Sequence, residues 1–414
     1  MRIEALVIAA LLALPAGAQE HHHHPVSDPA ADFLMQQASG TSANPAAERE
    51  HLMITAGTWQ VMLHGLASLN DLRATGPRGG EKQFSTNWVM GMAQRPLGGG
   101  HLMLRSMLSL EPATISGRRY PLLFQTGETA FGRQLIDGQH PHDLFMELAV
   151  EYARSLGPNA FGYVYLAPVG DPALGPVAFP HRDSANEIPQ AVLGHHFEDS
   201  THITSDVVTA GLSYRALRFE ASAFHGAEPD ESRWDLDGGA LDSASARLVI
   251  TPLPSLTAQV SGGYLTKPEK LEPGDQRRAS ASIAYTRGGW SSSAIWGRVY
   301  KESHDNTIEA LLFESTLRIA RRHTFSVRLE ETQKDELFPH PHRTGLIERP
   351  ALPVPTFRVR SATAGYTFDF LRRGALRVGA GGNYTWYRFP EILNGFYGEK
   401  PRTTVLYVRA RLGA

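Results

Sequence analysis

The sequence predicts an all-β fold, a transmembrane antiparallel β-barrel of about sixteen strands. Three observations carry that reading. Behind residue 57 the chain is a succession of short segments in which apolar and polar residues alternate. The connections between them alternate as well. Tight ones fall at Pro96–Gly100, Ser155–Asn159, Arg215–Leu217, Pro252–Ser255, Arg287–Gly289, Ala320–His323 and Leu371–Gly374, with long polar ones in between. An outer-membrane barrel has short turns on one rim and long loops on the other. Finally, Tyr, Phe and Trp stud the apolar faces near segment ends, as interfacial girdles do.

The elements follow in order. Residues 1–18 read as a secretory signal peptide: Arg2, an apolar run over Ala5–Leu14, and Ala16-Gly17-Ala18 before a cut at Gln19. No other stretch approaches the ~20 apolar residues of a spanning helix. Residues 19–57 are polar and Ala/Pro/Ser-rich, and are expected to form a flexible periplasmic tail with a short helix around Ala46–Met53. Residues 58–414 form the barrel. The chain has no Cys, which excludes small disulfide-stapled secreted folds. A net charge of -2 gives no reason to expect nucleic acid as a partner.

Strand faces can be assigned from the two-residue period. In Leu256–Tyr264, Leu256, Ala258, Val260 and Tyr264 oppose Thr257, Gln259 and Ser261. In Ala375–Phe389, Leu376, Val378, Ala380, Tyr384 and Trp386 oppose Arg377, Asn383 and Thr385. In Thr404–Leu412, Leu406, Val408, Ala410 and Leu412 oppose Tyr407, Arg409 and Arg411. The polar face would line a lumen that is aqueous unless loops plug it. A soluble β-sandwich also alternates, but it does not require the loop asymmetry. The chain ends in Leu412-Gly413-Ala414 rather than in the terminal aromatic usual for such barrels. The two longest connections, Glu111–Pro141 and Val169–Thr201, contain apolar pieces at Tyr120–Phe124 and Val177–Phe179, which suit loops folded inward.

Chemistry concentrates in Met and His. Every Met lies at or before Met146. Met62 and His64 share one face of the first strand; His101, Met103, Arg105 and Met107 share one face of the third. Met90 and Met92 share a face of the second, with its direction ambiguous. Neighbouring strands lie ~4.8 Å apart, so these residues can form one lumenal patch of thioether and imidazole, a donor set suited to copper. Met filling irregular gaps is the alternative. His21, His22, His23 and His24 follow the cleavage site and suit metal capture, or form a plain tag-like run. In the loops, His140 and His142 flank Pro141, His181 precedes Arg182-Asp183, and His195, His196 and His202 cluster in one segment. His340 and His342 repeat the first spacing. The loop imidazoles are metal-ligand candidates or, equally, members of a hydrogen-bonded plug.

An enzyme is not expected. Ser200 near His196 or His202 can be drawn as a nucleophile and base, but so can any Ser near a His in a loop, and Asp235-Leu236-Asp237-Gly238 is only a fragment of a calcium loop. The expected role is binding or passage of metal ions, copper or another divalent ion first, or of other small solutes. The alternatives are a general porin-like channel and a non-conducting surface or scaffold barrel. Expected partners are outer-membrane lipid, the ion or solute, and further copies in a homo-oligomer, with no catalytic cofactor.

The runs Gly76–Gly80, Ser106–Thr114, Gln139–Asp143, Gly175–Phe179, Leu193–His196 and Asp199–His202 resemble those of an uncharacterised family of exported bacterial outer-membrane β-barrel proteins. That resemblance spans most of the mature chain and implies an outer-membrane location. More distantly, the organisation is similar to the copper-resistance protein B family, which sets a His/Met-bearing leader before an outer-membrane barrel. This chain lacks that family's long Met-rich repeats.

Overall fold

A computed structural model describes residues 28–45, 52–272, 274–339 and 355–413. The signal peptide, His21–His24 and His340–His342 lie outside the described residues.

Sixteen antiparallel strands close into a barrel. They are β1 Trp59–Ala74, β2 Gly80–Leu97, β3 Gly100–Leu108, β4 Phe145–Gly157, β5 Ala160–Gly170, β6 Thr204–Tyr214, β7 Leu217–Phe224, β8 Ser243–Leu253, β9 Leu256–Leu265, β10 Gln276–Arg287, β11 Trp290–Lys301, β12 Asn306–Ile319, β13 His323–Lys334, β14 Phe357–Arg373, β15 Leu376–Arg388 and β16 Arg402–Leu412. Each pairs with its sequence neighbour, and β16 returns to β1 in the register Gly65↔Leu412 to Ala74↔Thr403. Among the described residues, closure pairs each of the sixteen strands on both sides, a requirement in lipid, where an unpaired backbone group costs several kcal/mol. A short lead strand, Leu52–Ala56, pairs with Trp59–Leu63 of β1 below the end of β16.

The alternation read from sequence appears as two chemically opposite faces. Val164, Leu212, Phe219, Val260, Phe313 and Leu406 are exposed on the outside. Arg105, Glu147, Glu220, Arg247, Arg328 and Arg409 are buried inside. An apolar outer belt on a closed sheet is a lipid-facing surface, and it sets the protein in the bacterial outer membrane. Ala410 and Leu412 share the apolar side yet are buried, because they pack with Leu52 and Ala67 beside the lead strand.

The interior is filled from both rims. Residues 28–45, expected to lie in the free tail, instead pack against the inner wall. Asp28 caps helix α1 (Pro29–Gln36), its side chain accepting from Ala30 N at 2.9 Å. Phe33 lies 4.9 Å from Phe161 and 4.6 Å from Tyr163 between ring centroids. Beyond α1, Arg105 donates to Gly40 O and Gln37 donates to Glu151. Arg247 donates to Thr41 Oγ1 at 2.9 Å. An eight-residue helix is marginal alone; the wall supplies its stability, which is why its own periodicity did not announce it. Met53, expected in a helix, lies in the lead strand opposite Met62.

From the other rim come the β3–β4 loop (residues 109–144) and the β5–β6 loop (residues 171–203). Leu122, Leu123, Phe124, Phe179, Val192 and Leu193 join wall residues Leu72, Phe84, Ile295 and Leu312 in one apolar cluster. Arg182 reaches Glu314 at 2.8 Å and Asp199 at 2.9 Å, and Glu187 accepts from Arg409 at 3.0 Å. The two fillings meet: Asn44 donates to His181 O at 2.8 Å, and Ala178 N donates to Ser39 Oγ at 3.2 Å. Interior cavities of ≈ 40, ≈ 30 and ≈ 50 Å³ remain, each room for a few waters at most.

Candidate functional site

The lumenal Met/His patch is built by register. His64 of β1 opposes Met90 of β2, and Met90 opposes Met107 of β3. The next row on this face is Met62, Met92 and Arg105. All five methionines of these strands, Met62, Met90, Met92, Met103 and Met107, are buried inward. This settles the direction of Met90 and Met92. It follows from chemistry: the opposite orientation would set Arg105 in lipid, at roughly 2–4 kcal/mol near the midplane.

The row is completed by a loop residue. His181 Nε2 lies 2.9 Å from Met107 Sδ. Its ring lies 6.0 Å from that of His64 and 4.5 Å from Trp88. Met62, His64, Trp88 and His181 line the ≈ 50 Å³ cavity. Burial, with the neighbouring His64 and His202, holds the His181 imidazole well below its ordinary pKa. It is therefore neutral, the form that binds a metal. Apolar packing is also real: the methionines contact Phe33, Phe161 and Tyr163 in one cluster. His101 stands apart, bonded through Nε2 to Asp28 at 3.0 Å and through Nδ1 to Gln94 at 3.4 Å. It fixes the start of α1.

The loop imidazoles do converge. Ring centroids lie 5.4 Å apart for His142 and His202, 5.2 Å for His195 and His202, and 5.2 Å for His195 and His196. Four of them share one feature. Nδ1 donates to a fixed acceptor: Pro141 O for His140 (2.6 Å), Glu111 for His142 (2.9 Å), Asp199 Oδ1 for His195 (2.7 Å) and Asp199 O for His202 (2.9 Å). Nε2 of His142 and of His202 makes no hydrogen bond. Metal-binding histidines are oriented in this way by a carboxylate or carbonyl on the other nitrogen. The same bonds also pin a plug, so the arrangement serves both readings of the loops. Burial lowers the pKa of His195 and His202; at His142 burial pulls the same way, but the Glu111 and Asp143 carboxylates together raise the pKa.

His140 and His196 belong to a separate group at the long-loop rim, where both approach Glu128, at 2.5 and 3.5 Å. Sequence reasoning missed Glu128, Glu228, Glu111 and Asp199 as site residues. Asp199 meets His195 at an i,i+4 spacing that could have found it, and Glu111 and Glu128 meet His142 and His140 within one loop, whereas the contacts of His196 with Glu128 and Glu228 cross between loops. The Ser200 hydroxyl accepts from Arg278 at 2.5 Å, and His202 Nδ1 is held by Asp199 O. The nucleophile–base pair drawn from sequence is therefore not formed.

No family model matches the sequence, and no curated protein matches it. Solved structures do. OmpF of Salmonella typhi, in complex with daunomycin, aligns at TM-score 0.52 and 9% identity, over 87% of this chain and 100% of that one. An anion-selective porin from Comamonas acidovorans aligns at 0.53 and 9%, over 86% and 100%. The fold is that of the porins. At such identity the likeness concerns architecture, and the filled lumen and its Met/His row are read from this chain's own residues.

Proposed function

We propose that this porin-fold barrel binds a soft metal ion, copper(I) first, in the lumenal pocket of Met107, His181, His64 and Met62, and passes it when the lumenal filling moves. The approach of His181 Nε2 to Met107 Sδ carries this reading. A loop imidazole kept neutral by burial meets a thioether at the end of a three-strand row that offers further sulfur. Thioether and imidazole together select copper over hard cations. His21–His24 would offer a capture site ahead of the barrel. His195, His202 and His142 would supply successive weak sites on the way to the long-loop rim.

Competition against a chromogenic copper(I) chelator tests this. Full-length protein should hold copper(I), and Met107→Leu and His181→Gln should each weaken it by roughly tenfold or more, as loss of even supporting groups does at metal sites. Equal affinity in all three proteins would remove the pocket from consideration.

A second reading, a general porin-like channel, is favoured by the shared fold with OmpF and the anion-selective porin. It requires the lumenal filling to leave, and it predicts conductance indifferent to copper.

A further inference from the structure

The long-loop rim holds a second cluster with a different donor set. Glu128 comes from the β3–β4 loop, His196 from the β5–β6 loop and Glu228 from the β7–β8 loop. One ligand atom from each lies within 4.8 Å of the other two. His196 Nε2 is 3.5 Å from Glu128 Oε1, and Nδ1 is 3.8 Å from Glu228 Oε1. His196 is 6% exposed, and neither ring nitrogen makes a hydrogen bond. A buried imidazole without a bond, set between two carboxylates, leaves polar capacity unused, and such groups are rarely left so.

The position of the ring is fixed by backbone. Gly127 has φ +106, and a Cβ there would come within 2.7 Å of the His196 ring. Glu228 is held by its own N–H, which donates to Pro268 O at 2.8 Å. Both carboxylates open onto a cavity of ≈ 290 Å³, so the site is reached from the rim.

His140 points the same way. Its Nδ1 lies 2.6 Å from Pro141 O, and its Nε2 faces Glu128 Oε1 at 2.5 Å, so a second imidazole stands beside the same carboxylate. Arg233 is 3.9 Å from Glu128, but its closer partner is Asp143 at 3.0 Å. Arg278 is 3.6 Å from Glu228 and is engaged by Gln276 at 2.9 Å. A comparable triad, Glu269, Glu272 and Glu336, already holds the Lys301 ammonium, 2.9 Å from Glu272 and 2.5 Å from Glu336. Among the described residues no lysine forms an ion pair with the Glu128 triad, whose arginine neighbours Arg233 and Arg278 stand at 3.9 and 3.6 Å.

We propose that Glu128, His196 and Glu228 form a cation site at the outer vestibule for a borderline divalent ion of the zinc type, with His140 as a fourth donor. One imidazole and two carboxylates are a zinc-like set, and the absence of sulfur separates it from the lumenal pocket. The proposal does not depend on that pocket.

Zinc titration calorimetry on full-length protein in detergent, carrying His21→Asn, His22→Asn, His23→Asn and His24→Asn to silence the tail, is the test. One equivalent should bind. Glu128→Gln with Glu228→Gln, and separately His196→Asn, should weaken binding by at least about tenfold, while Met107→Leu leaves it unchanged. The His196→Asn variant removes a donor without touching the carboxylates, should the double variant fail to fold. Absence of zinc binding in the parent, or undiminished binding in both site variants, would overturn the site whatever copper(I) does in the lumen.

Discussion

The guanidinium of Arg182 and the carboxylate of Glu314 meet at 2.8 Å across 132 residues of sequence. One belongs to the β5–β6 loop, the other to the wall strand β12. Both are buried, and Arg328 and Asp199 complete the group at 2.7 and 2.9 Å. Buried charges of this kind persist only when paired. The loop is thus fastened to the barrel wall by an ionic cluster rather than by apolar contact alone.

Arg182→Met should unfasten the loop without opening the barrel, whose strand ladder is untouched. Removing one member of a buried ion pair costs about 3–5 kcal/mol, here charged against loop docking. Single-channel recording in planar bilayers should show larger or more frequent openings than wild type. Identical conductance would mean that Arg182 does not hold the loop in place.

Gly40 tests the filling from the opposite rim. Its φ is +49, and a Cβ would stand 2.2 Å from Asp171 O. Gly40→Ala should therefore separate the N-terminal segment from the β5–β6 loop, at a cost of about 1–3 kcal/mol from backbone strain alone. Limited proteolysis should then cut within residues 28–45, which should resist cleavage in the wild type. Equal protection would show that the contact between the two segments is not needed.

These fillings divide what the sequence discloses from what it conceals. The strands, their faces and their count were legible, because a residue such as Val260 must face lipid and its neighbour Gln259 the interior. Tyr120–Phe124 and Val177–Phe179 marked inward loops by being too apolar for solvent. Helix α1 was not legible: its apolar residues match a wall that lies elsewhere in the sequence. The pocket was half legible. Met62, His64 and Met107 share a face by alternation, but only the folded β5–β6 loop brings His181 to Met107 while leaving His101 with Asp28. The Glu128–His196–Glu228 group was not legible, since three loops contribute one residue each.

His196 provides a pH test. Burial, with Lys334, His140 and Arg278 adding to it and Glu128 opposing, pushes its imidazole down to about 3 from an ordinary 6.5. Between those values the unfolded chain binds the proton and the folded one does not. The His196 contribution is therefore intact above about pH 6.5 and is lost as pH falls toward 3, by at most ~1.4 kcal/mol per unit. In metal-free protein, the stability of wild type relative to His196→Gln should decline between about pH 6.5 and 4.5. Parallel stability curves over that range would contradict a neutral buried imidazole.

Replacing Met62, Met103 and Met107 together with Leu should preserve the barrel, because Leu and Met are close in volume and such exchanges cost less than about 1.5 kcal/mol each. The lumen-facing rows keep an apolar contact with Phe33 and Tyr163. Copper(I) binding should fall nonetheless, together with any copper tolerance the protein confers on cells. A folded triple variant with undiminished copper binding would leave the methionines as packing residues and favour the general channel.

X-ray absorption at the copper edge of copper(I)-loaded, full-length protein tests the lumenal pocket most directly. His21–His24 and the loop imidazoles contribute only nitrogen, whereas the pocket adds the sulfur of Met107. The expected spectrum contains a sulfur shell beside nitrogen, and Met107→Leu should diminish the sulfur and leave nitrogen in place. A spectrum of nitrogen and oxygen alone in the wild type would contradict copper binding between Met107 and His181.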